Sequence, residues 1–294
     1  MGRLSDIGTI KEILTRHGFH FSKALGQNFL INPSVCPRMA EQGGAGKGVG
    51  VLEVGPGIGV LTVELAQRAE KVVAVEIDKR LLPVLDETLR DYPNAKVING
   101  DVMEIDLQKL IEEEFAGMQV VVCANLPYYI TSPVIMRLLE ERLPVEAVTV
   151  MVQKEAADRI CAKAGTRDTG ALSIGVQYYA EPEILFQVSR GSFMPAPNVD
   201  SAVIRLNIRK EAPVQVDSER AFFSLVKAAF GQRRKTLLNS VSAGLGMPKP
   251  QMEEAMNAVG IPLTARAEQL SLEMFAALSN ALKKNAKGES ENAG

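Results

Sequence analysis

The segment Asn125-Leu126-Pro127-Tyr128-Tyr129 follows an apolar run from Met118 to Cys123 in which valine predominates. A run of that length and type reads as a buried parallel strand, and open α/β sheets bind ligands just beyond the carboxyl ends of such strands. Asn125 and the carbonyls of Leu126 and Pro127 can accept hydrogen bonds from an exocyclic amine, while Tyr128 offers a flat face for a base. Together they suit an adenine amino group. The alternative is an ordinary strand-to-helix turn in which Pro127 ends the strand.

Three earlier segments bear on that choice. Val49 to Val54 is an apolar strand that runs into Gly55-Pro56-Gly57-Ile58-Gly59 and then into a helix from Val60 to Ala69, which sets a glycine-lined loop against a ligand at a sheet edge. The spacing is not Gly-x-Gly-x-x-Gly, and Pro56 removes a backbone donor that a pyrophosphate would use, so a nicotinamide dinucleotide is disfavoured. A second strand, Lys71 to Asp78, places Glu76 about 20 residues beyond the glycines, where a ribose hydroxyl would be held. A third, Ala95 to Gly100, ends in Asp101, positioned to accept from an adenine amine. Taken singly, the glycines could be only a tight βα turn and the acids only helix caps. Their succession at strand ends favours a nucleotide-like cofactor.

The elements that must carry these residues fit an α/β protein of 294 residues, long enough for one large domain and a small appendage. With 46% hydrophobic and 23% charged residues, the composition is that of a soluble globular chain. No apolar run approaches the ~18 residues of a membrane span, and no secretory pattern opens the chain, so a cytoplasmic location is expected. Cys36, Cys123 and Cys161 lie far apart without metal-ligand spacing and are expected to be reduced structural thiols. Ile7, Ile10, Ile13 and Leu14 predict a short amphipathic helix that stops at His17-Gly18. His17 and His20, the only histidines, are expected in capping or surface roles, which leaves no histidine for acid/base chemistry. Lys23 to Leu30 has no clear period and reads as a loop.

The combination Glu53-Val54-Gly55-Pro56-Gly57-Ile58-Gly59, Glu76, Gly100-Asp101 and Asn125-Leu126-Pro127-Tyr128 resembles the S-adenosylmethionine-dependent rRNA adenine dimethyltransferases, and within them the bacterial small-subunit branch. The resemblance runs from Lys23 to about Leu282. It implies a Rossmann-like class I methyltransferase with a seven-stranded, mostly parallel sheet and a small all-α C-terminal domain. Leu25-Gly26-Gln27-Asn28-Phe29-Leu30 is similar to the family's N-terminal cofactor segment, so Asn28 and Leu30 become cofactor contacts beside Gly55, Gly57, Glu76, Asp101 and Asn125.

Beyond Tyr129, strands are expected at Glu146–Val152, Glu183–Val188 and Ser201–Leu206, with a helix from Lys154 to Lys163 and a mobile loop from Ala164 to Gly170. Thr169 and Ala171 depart from the family's Tyr-Gly-Arg-Leu-Ser pattern, so no RNA contact is carried over to them. Phe193, expected to be exposed before Pro195 and Pro197, resembles the family position that stacks on the other face of the target base; a core plug is the alternative. The breaker Glu211-Ala212-Pro213-Val214 predicts a boundary, giving a methyltransferase domain over 1–210 with an N-terminal helical extension, a helical RNA-docking domain over 214–282 and a disordered tail over 283–294. Residues 203–240 hold eight basic and three acidic side chains in a chain of net charge -2, and Arg233-Arg234-Lys235 is the expected phosphate-docking segment rather than a merely solvated face.

The expected activity is therefore transfer of methyl groups from S-adenosylmethionine to the N6 amines of two adjacent adenines in the 3'-terminal hairpin loop of 16S rRNA. Asn125, Leu126, Pro127, Tyr128 and Phe193 form the catalytic set. The expected enzyme is a monomer that meets the small subunit or its precursor and needs neither membrane nor metal. Two other readings are a non-catalytic assembly factor on the same fold, disfavoured by the intact Asn125 to Tyr128 set, and a large-subunit dimethyltransferase, disfavoured by Arg233 to Lys235.

Overall fold

In a computed structural model, the described residues are 4–19 and 28–291, with side chains described through 283. His20 and the segment from Lys23 to Gln27 lie outside them. The chain divides into two compact units, Met1–Ala157 with Glu181–Ile208, and Asp158–Ala180 with Arg209–Gly294.

The first unit is built on nine strands: β1 (Phe29–Leu30), β2 (Val49–Val54), β3 (Lys71–Glu76), β4 (Ala95–Asn99), β5 (Gln119–Asn125), β6 (Ala147–Gln153), β7 (Ala180–Val188), β8 (Phe193–Met194) and β9 (Ser201–Ile208). Seven of them form one sheet in the order β4-β3-β2-β5-β6-β9-β7, with β2, β3, β4, β5 and β6 mutually parallel and β9 antiparallel to β6. The valine-rich runs go to the middle of this sheet because both of its faces are covered, and a strand buried on both faces has no polar positions to alternate with. The expected seven-stranded, mostly parallel sheet is thus present. The other two strands, β1 and β8, pair antiparallel, Phe29 opposite Met194 and Leu30 opposite Phe193, so the end of the stretch expected to be loop is a short strand.

Helix α1 (Ile7–Arg16) starts at Asp6, whose carboxylate accepts from the Thr9 amide at 2.9 Å. Its apolar stripe, Ile10, Ile13 and Leu14, packs with Ile58, Leu81 and Leu85, each side chain contributing about 1.5–3 kcal/mol on burial. His17 caps its end, its backbone N–H donating to the Ile13 carbonyl, and its ring Nε2 lies 2.7 Å from Glu87 Oε2. Helices α2 (Val35–Gln42) and α3 (Val60–Ala66) bring Cys36, Met39, Leu61 and Leu65 into a second cluster with β2, β3 and β5. In that cluster burial pushes the Cys36 thiol up, away from the reactive thiolate, and the same cause raises Cys123.

Helix α4 (Leu82–Thr88), α5 (Leu107–Glu114) and α6 (Thr131–Glu140) complete the crossovers of the first unit. Helix α7 (Lys154–Ile160) carries the chain out of it. The second unit contains α8 (Ala171–Tyr179), α9 (Glu219–Phe230), α10 (Leu237–Leu245), α11 (Lys249–Ala258) and α12 (Leu272–Glu291).

Three expectations change here. Residues 158–180, read as part of the methyltransferase domain, cluster with the C-terminal helices because Tyr178 and Tyr179 of α8 pack on Phe222 and Phe223 of α9, with ring centroids 5.2–5.5 Å apart. The loop expected to be mobile is knotted by its own hydrogen bonds. Thr169 is fully buried, donates to the Lys163 carbonyl at 2.9 Å and accepts from the Thr166 amide at 3.1 Å, while Gly170 donates to Ser173 Oγ at 3.0 Å. The tail expected to be disordered from residue 283 continues instead as α12 to Glu291.

Candidate active site

The register of the sheet assembles the site. Val54 pairs with Val75 on one side and Ala124 on the other, so one residue further along, Gly55, Glu76 and Asn125 stand at the same level on three adjacent strands. Gly55, Gly57 and Gly59 then turn the chain from β2 into α3 with φ of 69°, 61° and 90°, a left-handed path that side chains rarely follow. The third of them is also close-packed: a Cβ on Gly59 would stand 3.0 Å from Thr88 Oγ1.

A single pocket gathers the residues expected from the sequence: Asn28, Leu30, Gly55, Gly57, Glu76, Asp101, Asn125, Leu126, Pro127, Tyr128 and Phe193 all line it. Its electrostatics are one-sided. Glu53, Glu76 and Asp101 bring three carboxyl groups to its wall, and no lysine, arginine or histidine lines it among the described residues. A pyrophosphate would meet only like charge there, whereas a ligand bearing hydroxyls and positive charge finds acceptors. The residues fit S-adenosylmethionine and do not fit a dinucleotide.

Glu76 is almost completely buried, and each of its oxygens takes one backbone N–H, Oε1 from Asp78 at 2.8 Å and Oε2 from Gly57 at 3.2 Å. Burial raises its pKa and these amides oppose the rise. A lone pair stays open on each oxygen for a hydroxyl donor. Asp101 accepts from the Met103 amide through Oδ1 at 2.8 Å, a turn-forming bond, and Oδ2 is left for a ligand.

Asn125, half-buried at the end of β5, makes no side-chain hydrogen bond among the described residues, so its amide is free to bind. Tyr128 is fixed from behind: its hydroxyl lies 2.8 Å from Ser201 Oγ on β9, and burial raises its pKa. Phe193 corrects an expectation. It is not exposed but 4% accessible, because the β1–β8 pairing sets it in the cluster with Leu30 and Val188, and from there its ring reaches the pocket wall.

Two participants were not singled out from the sequence. Glu53 is 1% exposed, its Oε2 has no partner among the described residues, and burial, reinforced by the charge of Glu76, pushes its pKa up to about 8. Its signal was present, an acid in the middle of an apolar strand, where an unpaired carboxylate is costly unless a ligand meets it. Ser201 left no comparable signal, since a serine opening a strand is ordinary and its partner lies 73 residues away.

In the second unit, Arg233, Arg234 and Lys235 stand exposed in the turn between α9 and α10, and none of them pairs with an acid among the described residues. No group of three or more histidine, cysteine or acidic side chains able to hold a metal occurs among the described residues. No helix described is long and apolar enough to cross a membrane.

Comparison with known proteins bears on the whole chain. A protein named ribosomal RNA small subunit methyltransferase A from Geobacillus thermodenitrificans is 53% identical over 279 residues, 94% of this chain and 95% of its own length. One of the same name from Alkaliphilus oremlandii is 51% identical, covering 97% and 99%. Among solved structures, a dimethyladenosine transferase from Plasmodium falciparum matches with a TM-score of 0.71 at 26% identity, covering 88% of this chain and 98% of its own. The 23S rRNA methyltransferase ErmE matches with a TM-score of 0.65 at 29% identity, covering 87% and 99%. The model of the family described as ribosomal RNA adenine dimethylase matches residues 18–284, from just beyond α1 into α12, so a pocket that is rich in acids and, among the described residues, lacks cations is met on the sheet of a chain that belongs to that family.

Proposed function

We propose that this protein transfers methyl groups from S-adenosylmethionine to the N6 amines of two adjacent adenines in the 3'-terminal hairpin loop of 16S rRNA, dimethylating each during small-subunit assembly. The observation that carries the reading is the convergence, in one pocket, of the free Asn125 amide with three carboxyl groups and, among the described residues, no cation. S-adenosylmethionine supplies a methyl already activated by its sulfonium, and the chain's own task is to bind and orient.

Glu76 accepts the ribose hydroxyls, and Asp101 Oδ2 accepts from the cofactor's adenine amine. Asn28, Leu30, Gly55 and Gly57 form the close walls. On the substrate side, Asn125 Oδ1 and the carbonyl of Leu126 or Pro127 accept the two N6 hydrogens. This draws the nitrogen lone pair out of conjugation with the ring and aims it. Such positioning can be worth about 7–11 kcal/mol of barrier. Tyr128, its ring held by Ser201, stacks on the base, and Phe193 closes the other face from its buried position. Stacking worth roughly 1–3 kcal/mol per base offsets the few kcal/mol of extrusion. The methylated amine is acidic while cationic, so its proton passes to solvent and neither a general base nor a metal is required. Arg233, Arg234 and Lys235 dock phosphates of the subunit. We read the enzyme as a cytoplasmic monomer.

The test is incubation of undermethylated small subunits with labelled S-adenosylmethionine, followed by mapping of the modified adenines. Label is expected on the adjacent pair and nowhere else. Asn125→Ala should lower single-turnover transfer by at least about 100-fold, the scale of a lost positioning contact, while subunit binding persists. Label elsewhere in the rRNA, or wild-type turnover by Asn125→Ala, contradicts the reading.

A further inference from the structure

The fold treats the two consecutive tyrosines after β5 differently. Tyr128 is half-buried, with its hydroxyl 2.8 Å from Ser201. Tyr129 is 59% exposed, more than any other large hydrophobic side chain described, and no hydrogen bond or ring contact engages it among the described residues. It nevertheless lines the same pocket, as does Met103, which is 39% exposed. The two tyrosines open a 3-10 turn, Tyr128–Ile130, in which successive side chains diverge by about 120°. One ring therefore faces the pocket and the next its rim. A bare aromatic ring at the edge of a binding pocket marks a contact surface, and with two rotatable bonds it loses little entropy on binding.

Resting on the methyltransferase reading above, we propose that Tyr129 is a positioning residue whose ring is the stacking platform for the base next to the target adenine. Drawing one adenine out of its stack uncovers a face of its neighbour, and the backbone allows that neighbour to go no further than one nucleotide from the pocket. A ring at the rim covers the uncovered face, offsets part of the extrusion cost and fixes the strand's path into the pocket. Because the substrate carries two adjacent adenines, the same platform serves whichever of the two is not being methylated. Tyr128 thus reads the base that enters, and Tyr129 reads the base that waits.

The experiment is steady-state methylation of undermethylated small subunits carrying either the natural adenine pair or a pair with one adenine replaced by uridine, using wild type, Tyr129→Phe and Tyr129→Ala. On the natural pair, Tyr129→Ala should lose about 5- to 100-fold in kcat/KM, mainly through KM, the range expected for one lost stack. Tyr129→Phe should stay close to wild type, since the platform needs the ring and not the hydroxyl. Replacing the neighbour should cost the wild type several-fold and cost Tyr129→Ala little, because the ring that reads it is gone. Equal costs of that replacement in wild type and Tyr129→Ala would overturn the proposal. Failure of the wild type to methylate either adenine of the natural pair would instead bring down the functional reading on which the proposal rests.

Discussion

Glu53 is a carboxyl sealed from water with one oxygen unsatisfied, and its environment favours the proton. The sign follows from linkage. Its ordinary pKa of 4.5 applies to the unfolded chain and about 8 to the folded, ligand-free protein. Below pH 4.5 both states hold the proton; between these values only the folded state does, so stability falls as pH rises, and above about 8 the loss is complete. Glu76, raised by burial as well, acts in the same direction. Denaturant unfolding of the ligand-free protein at pH 5, 6, 7 and 8 should show this decline, on the order of 1 kcal/mol per pH unit at its steepest. Glu53→Gln, which keeps the shape and removes the titration, should flatten much of it. An unchanged pH slope in that variant would mean that Glu53 is ionised when folded. At this scale the sequence set Glu76, Asp101 and Asn125 at strand ends, and all three line the one pocket. It misjudged Phe193, because exposure was inferred from neighbouring prolines whereas burial is decided by pairing with Leu30 more than 160 residues earlier.

The strands of the central sheet were legible because burial on both faces leaves an unbroken apolar run. Helix α8 was not, since it is buried almost throughout and its apolar residues show no single face. The turn at 163–170 looked mobile because glycine and threonines suggest a loop, while the hydrogen bonds that close it depend on Thr169 turning inward. Gly50 is another element whose reason is invisible in sequence. It lies on β2 under Phe115, and an added Cβ would stand 2.3 Å from Phe115 Cδ1. With Phe115 itself buried and no room to swing, Gly50→Ala should destabilise the fold by about 1–3 kcal/mol, the usual cost of overpacking. Chemical denaturation would show a lower midpoint with an unchanged slope. A wild-type midpoint would mean that Phe115 yields at little cost.

At the scale of the whole molecule, the net charge of -2 makes the basic triplet testable. If Arg233, Arg234 and Lys235 contact phosphates, each contact releases counterions, and replacing all three by alanine should flatten the log-log salt dependence of small-subunit binding by about 2 to 3 units. Filter binding across a salt series reads this directly. A triple variant with the wild-type affinity and slope would place the docking surface elsewhere.

The domain organisation was legible only as a single break near Pro213, because a composition shift marks a linker and leaves no mark where a chain departs and returns within ordered elements. Residues 158–180 leave the sheet-bearing unit and the chain comes back at Glu181 before leaving again at Arg209. The helical unit is consequently woven from two pieces of sequence, held together by rings of Tyr178, Tyr179, Phe222 and Phe223. Truncation at residue 210 is then no clean excision, since it would leave Tyr178 and Tyr179 without the partners that cover them. Grafting this helical unit onto another methyltransferase would take two simultaneous splices, so recombination at one junction cannot exchange it.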